Sequence, residues 1–351
     1  MTTIDQERLE AFLGQAVTDA GAALSVLLTH LGDRLGLYRA MADGAPTTAE
    51  QLAAKTGTHE RMVREWLSNQ AAGGYVAYDG TSETFRLPAE QAFVLADESS
   101  PALAQGLFQM VAAVYQNVDK EEAALRTGKG LTWGDHHAEL FEATERTFRP
   151  GYSAHLVAEW IPALRGIAER LESGGSVADV GCGFGSSTVI MAQAYPRSSF
   201  VGFDYHEPSI ERARAAAKNA AVDDRVRFEA IDATKLSGSY DLIAFFDCWH
   251  DTADPLGAAT AAREALADGG SVMVVEPLAG DRLEDNFNPL GRFAYGASSL
   301  ICTPCSVSDG GPGLGAQAGE ARSRDLFTAA GFSSFERVAE TPLNAVYEAR
   351  L

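Results

Sequence analysis

Apolar residues recur at helical spacing in three early stretches, 9–17, 24–31 and 35–41. Thr47-Thr48 then caps an expected short helix over 49–55, and a turn at Thr56-Gly57-Thr58 leads into a second over 60–72. Gly73-Gly74 ends that helix. Two short β-type runs, 75–78 and 84–87, meet around Asp79-Gly80. Helix, turn, helix and hairpin make a winged-helix unit. Long helical patterns follow at 101–118, 136–146 and 152–171.

From Val177 the period changes. Strands are expected at 177–180, 199–204, 226–230, 240–246, 271–276, 335–339 and 345–349, with helices at 187–195, 209–221, 255–267 and 322–330. Repeated strand–helix units imply a parallel sheet with helices on both faces. The last two runs, joined by Thr341-Pro342-Leu343, read as an antiparallel hairpin at the sheet edge. The chain is therefore expected to be α/β, a seven-stranded Rossmann-like sheet behind a mainly helical winged-helix domain. Three parts follow: 1–98, a helical stretch 99–172, and 173–351.

The first of these strands breaks into Asp179-Val-Gly181-Cys182-Gly183-Phe-Gly185, then a helix. Such glycines permit positive φ and let a ligand approach with no Cβ in the way. Alone, the turn is a generic nucleotide signal. What sharpens it are the acids at successive strand ends, where open sheets bind ligands. Asp204, about 20 residues after the turn, is placed for ribose hydroxyls. Asp232 can accept an adenine amino group, with Ala233 leaving room for the ring. Phe246 forms an apolar wall with Asp247 at its tip, and Asp179 lies low in the pocket. Four acids repel pyrophosphate but suit S-adenosylmethionine (SAM), with its ribose, adenine, ammonium and sulfonium.

Charge and cysteine content narrow the partners. The formal charge is −20, and residues 1–150 alone hold about a dozen Lys/Arg against roughly twenty Asp/Glu. Nucleic acid and anionic membrane are disfavoured. No run of eighteen apolar residues occurs, so neither a spanning helix nor a secretory signal is expected. Cys182, Cys248, Cys302 and Cys305 are scattered. Cys302-Thr-Pro-Cys305 has the spacing of half a zinc site without a second half, so no metal is expected. Free thiols suit a reducing cytoplasm.

Taken together, the glycine turn, Asp204, Asp232-Ala233 and Phe245-Phe246-Asp247 resemble the successive motifs of class I SAM-dependent methyltransferases over residues 150–351. The full order resembles bacterial winged-helix methyltransferases and small-molecule O-methyltransferases. The resemblance implies that the turn meets the methionine end of SAM, Asp204 the ribose and Asp232 the adenine. It also implies that the first domain forms a homodimer interface and part of the acceptor pocket. The apolar helices at 20–31 and 101–118 fit that role.

Methyl transfer to a hydroxyl needs a positioned nucleophile and a base. His250-Asp251 and Glu276 match the His-Asp pair and acid of the O-methyltransferases, in which the His is the base and the acid orients it. The aromatic that commonly follows the pair is Thr252 here. His250 as base, or as pocket lining only, both remain open. On placement, Tyr205 flanks the adenine, Tyr152 closes over SAM, and 286–295, with Arg292 and Phe293, covers the mouth. His136-His137 opens a helix that can reach the pocket or merely lie on its surface.

The second winged helix presents Arg61 and Arg64 beside Glu60 and Glu65, whereas a DNA reader shows a basic stripe. A SAM-binding or DNA-binding regulator without catalysis remains the alternative. A nucleotide-linked dehydrogenase wants its third glycine one residue later and accommodates Asp179 and Asp232 poorly. The expected enzyme is a methyltransferase acting on a small molecule whose identity the sequence does not reveal.

Overall fold

The computed structural model describes residues 4–351. It divides into two compact units. One comprises the chain through Gln116 with Ala138–Pro150, the other Asn117–His137 with Gly151–Leu351. The stretch 99–172 forms no unit of its own; its helices are shared out between the two.

In the first unit, the third early pattern forms the separate helix Leu37–Ala40, while the first two merge into one helix, Gln6–Arg34, started by the Asp5 side chain accepting the Arg8 N–H. Gly14 and Gly21 do not break it, and no group lies within 4 Å of where their Cβ atoms would be. By length and composition alone this helix is apolar enough to cross a membrane. The expectation rested on uninterrupted runs of eighteen apolar residues, of which this helix has none, and helices of non-membrane proteins pass the same length-and-composition test. The apolar character of Gln6–Arg34 comes from Ala, Leu, Val and Phe interrupted by Gly, Gln, Thr, Asp and Ser rather than from one continuous run. Leu9, Phe12, Leu13, Val17 and Leu24 are exposed.

The winged helix forms as its caps dictate. Thr48 and Gln51 make a reciprocal capping box at the start of Ala49–Thr56, and Gly57 ends that helix at φ +65°. Glu60–Ala72 follows, then strands β1 (Ala77–Asp79) and β2 (Thr84–Arg86). The hairpin starts later than expected because the Gln70 carbonyl accepts from both Tyr75 and Val76 N–H. Leu37, Tyr38, Leu52, Trp66, Leu67 and Leu87 form the core. Gly32 lets the long helix approach: a Cβ there would lie 2.5 Å from the Trp66 ring.

The later helical patterns are more broken than expected. Gln105–Val114 stops at a short 3-10 turn before Val118–Thr127. Glu139–His155 continues past Pro150. The pattern at 152–171 is interrupted by a π-turn at Leu156–Trp160, an extended Leu164 and Gly166 at φ +73° before Ile167–Ser173 resumes.

The second unit holds a seven-stranded sheet: β3 (Ser176–Val180), β4 (Ser199–Asp204), β5 (Val226–Ala230), β6 (Tyr240–Phe246), β7 (Leu266–Pro277), β8 (Ser334–Glu340) and β9 (Asn344–Arg350). The spatial order is β5-β4-β3-β6-β7-β9-β8. The first five strands are parallel, and β9 runs antiparallel between β7 and β8. The order reverses between β3 and β6, and the crevice beyond their carboxyl ends is where such sheets bind ligands. One side of the sheet is locked by an aromatic succession, Phe245–Trp249–Phe327–Phe335–Tyr347, with centroids 4.7–5.4 Å apart. These rings hold the turn after β6, which carries His250, against the sheet.

Candidate active site

The glycine turn is built from backbone outward. Gly181, Gly183 and Gly185 have φ of +75°, +53° and +80°, a region costly for side-chain-bearing residues. The first two N–H groups, of Gly181 and Cys182, donate to the Phe203 carbonyl at 2.7 and 3.0 Å. The three glycines differ in what surrounds them. A Cβ on Gly181 would meet Cys248 Sγ at 2.5 Å, and one on Gly185 would meet the Phe228 ring at 2.8 Å. A Cβ on Gly183 would meet nothing within 4 Å. Gly183 therefore keeps ligand space clear, while the other two serve packing. Cys182 turns its thiol into the protein, where burial pushes its pKa well up, so it offers a ligand only backbone.

Asp179 lies beneath the turn, 1% exposed. Its Oδ2 accepts from Ser187 and Thr188 hydroxyls at 2.6 and 2.5 Å, while Oδ1 has no partner. Burial pushes its pKa up to about 6, against the pull of those two hydroxyls. An orphaned buried carboxylate oxygen is costly and is matched by a cationic donor such as an ammonium. Asp204 accepts from Gly183 N–H and His206 N–H, both at 2.9 Å. It braces the loop and retains lone pairs for hydroxyls. Asp232 accepts from Thr234 N–H at 2.8 Å as the cap of Ala233–Lys235, and is exposed. Tyr205 is also exposed. Turn, Asp179 and Asp204 thus stand together at the switch point, with Asp232 at the end of the neighbouring strand. The residues fit SAM.

A second group closes the end of β6. Asp247 adopts φ +51°. Its Oδ2 accepts from the Tyr152 hydroxyl at 2.9 Å and its Oδ1 from Asn344 Nδ2 at 2.7 Å. Burial, then the Glu276 charge, pushes its pKa up to about 7. Tyr152 packs 5.3 Å from the Phe246 ring. Both Asp247 oxygens are engaged within the protein, so the acid positions Tyr152 and Asn344. Asn344 had no sequence signal, since it arrives from the first position of β9 opposite Pro277.

The third group carries proton chemistry. His250 and Asp251 lie on the 3-10 turn Trp249–Asp251. His250 is buried; its Nδ1 meets Glu276 Oε2 at 2.7 Å and its Nε2 stands 3.1 Å from Asp251 Oδ1. Burial alone lowers the imidazole pKa, but Glu276 and Asp251 outweigh it and raise it well above 6.5. The carboxylate at Nδ1 fixes the ring and leaves Nε2 as the atom for proton exchange.

The remaining histidine candidates lie apart from that pair. His136 is buried, its ring nitrogens facing Asn117 at 3.1 Å and Cys305 Sγ at 3.6 Å. His206 Nδ1 meets Ser209 at 2.8 Å. The segment after β7 forms a 3-10 turn at Leu283–Asn286 and the helix Pro289–Ala297, capped by Asn288.

Residues 22–97 match the Rv2258c-like winged HTH domain and residues 152–301 the Methyltransferase domain. A 27-O-demethylrifamycin SV methyltransferase of Amycolatopsis mediterranei is 32% identical over 141 residues, 39% of this chain and 46% of that one. The chain thus spans about half the length of that curated relative. The structure of mitomycin 7-O-methyltransferase MmcR superposes with TM-score 0.71 at 19% identity, covering 98% of this chain and all of that one. Human N-acetylserotonin methyltransferase, in complex with SAM, gives 0.66 at 18% identity over 100% and 99%. Residues 22–97 thus match a winged-helix domain and residues 152–301 a methyltransferase domain, and the fold over the whole chain is that of the MmcR structure.

Proposed function

We propose that the chain transfers a methyl group from SAM to a hydroxyl of a small molecule, with His250 as general base and Glu276 as its positioning partner. The observation that carries the reading is the unpartnered Asp179 Oδ1, buried beneath the one glycine of the turn that faces open space. That combination suits an ammonium on a phosphate-free adenosine ligand. When bound, SAM supplies an electrophilic methyl carbon on a departing sulfonium. The chain positions the partners: Asp179 takes the ammonium, Asp204 the ribose, Asp232 the adenine amino group, and Tyr205 flanks the ring. His250 Nε2 takes the acceptor's proton while Glu276 holds Nδ1 and stabilises the imidazolium formed.

Residues 173–351 hold the cofactor in this reading, 99–172 contribute to the acceptor side, and 1–98 carry a homodimer contact. The exposed apolar residues of Gln6–Arg34 support dimerisation. Four free cysteines suit a cytoplasmic enzyme. The regulator reading loses support because Arg61 and Arg64 pair with Glu65 and Glu60 on their own helix.

The test uses SAM with a labelled methyl group and a panel of hydroxylated aromatic acceptors. His250→Ala is expected to abolish transfer while leaving S-adenosylhomocysteine affinity unchanged, and Gly183→Val to abolish that affinity. Normal transfer by His250→Ala would refute the base assignment.

A further inference from the structure

Cys302 has no part in the methyl transfer proposed above, yet its thiol reaches the proposed base His250 and the adjoining Asp251. It ends the π-turn Ser298–Cys302, an irregularity that recurs at functional sites. One ligand atom each from His250, Asp251 and Cys302 lie within 4.8 Å of one another. His250 and Cys302 are buried, and Asp251 is half-buried.

We propose that these three residues form a binding site for a thiophilic divalent cation, of which Zn²⁺ fits best. The donor set of imidazole nitrogen, thiolate sulfur and carboxylate oxygen is that of zinc, and three protein ligands leave a fourth position open. His250 Nε2 and Asp251 Oδ1 stand 3.1 Å apart, yet Oδ1 is buried with no hydrogen-bond partner. The two atoms lie side by side rather than along a donor–acceptor line. Tetrahedral bonds of about 2.0 Å would hold such a pair about 3.3 Å apart. Nδ1 is already bound by Glu276 at 2.7 Å. That fixes the tautomer presenting Nε2, the carboxylate–histidine–metal arrangement. With all three ligand atoms already within 4.8 Å of one another, a small approach completes the set, and the Cys302 thiol proton is released to solvent as the sulfur binds. Cys305, one turn on, faces His136 instead and is outside the cluster. A bound ion occupies Nε2, so the cation-bound and base-competent forms are alternatives.

The test is Co²⁺ titration of the full chain after chelator treatment, followed by displacement with Zn²⁺. One equivalent of Co²⁺ is expected to raise a thiolate-to-cobalt absorption band that Zn²⁺ removes. Cys302→Ser should lose the band and Cys305→Ser should keep it. S-adenosylhomocysteine binding by calorimetry, measured on the same samples, shows that each variant is folded. Absence of a stoichiometric band, or the same band in a folded Cys302→Ser protein, overturns the site. A Cys302-dependent band in wild-type protein that binds no S-adenosylhomocysteine supports the cation site and counts against methyl transfer instead.

Discussion

Gly183 and Gly185 share a positive φ but have different surroundings, so the same substitution should act differently at each. An alanine at either meets backbone strain of about 1–2 kcal/mol. At Gly185 it also meets Phe228 at 2.8 Å and Ala213 at 3.0 Å. Gly185→Ala should therefore lower the melting temperature more, and Gly183→Ala should chiefly weaken S-adenosylhomocysteine binding; calorimetry of both variants checks this. Asp179 makes a pH prediction. Its pKa is raised by burial to about 6, and an ammonium prefers the carboxylate. Affinity should be full above that pH and fall as pH drops through it, a dependence that Asp179→Asn removes. Asp247, raised to about 7, remains in that variant as the internal comparison. His250 predicts the opposite limb for turnover. A base must be neutral, so rate should rise with pH through a pKa well above 6.5. Glu276→Gln withdraws the anion that favours imidazolium, which should move the limb to lower pH. The acids at the strand ends were legible because each follows an apolar run at a fixed topological place. Asn344 and Cys302 were not, since they reach their partners from β9 and from the segment after β7, contacts that no local spacing encodes.

Helix caps explain which elements the chain announced and which it hid. Thr48 and Gln51 signal the start of Ala49–Thr56 from four consecutive residues, and their reciprocal hydrogen bonds are present. Thr48→Ala should cost about 1 kcal/mol, seen as a lower melting temperature with cofactor affinity unchanged. The parallel strands were legible as short β-rich runs between helices. The stretch 101–171 was not, because its apolar period continues through points where the backbone departs from the helix. A 3-10 turn at Tyr115–Asn117, a π-turn at Leu156–Trp160 and Gly166 divide it, and packing rather than period decides where they fall. The long helix Gln6–Arg34 was misread in the other direction. Its pattern split into 9–17 and 24–31 because residues 18–23 carry no large apolar side chain, and Gly14 and Gly21, in open space, do not break the helix.

For the whole molecule, a net charge of −20 sits beside a helix whose exposed face carries Leu9, Phe12, Leu13 and Val17. The dimer proposed above would cover this face, against the self-repulsion that so large a net charge imposes. Phe12→Asp with Val17→Asp should convert a dimer to a monomer by light scattering without altering cofactor affinity. In the second unit the order of the seven-stranded sheet reverses at β3 and β6, and the crevice there is the proposed seat of a cationic adenosine cofactor. The most direct measurement is a calorimetric titration of the full chain with S-adenosylhomocysteine and, separately, with NADH. Saturable one-to-one binding of S-adenosylhomocysteine, lost in Gly183→Val, and no binding of NADH are expected. NADH binding at this turn, or no heat from S-adenosylhomocysteine, would contradict that assignment.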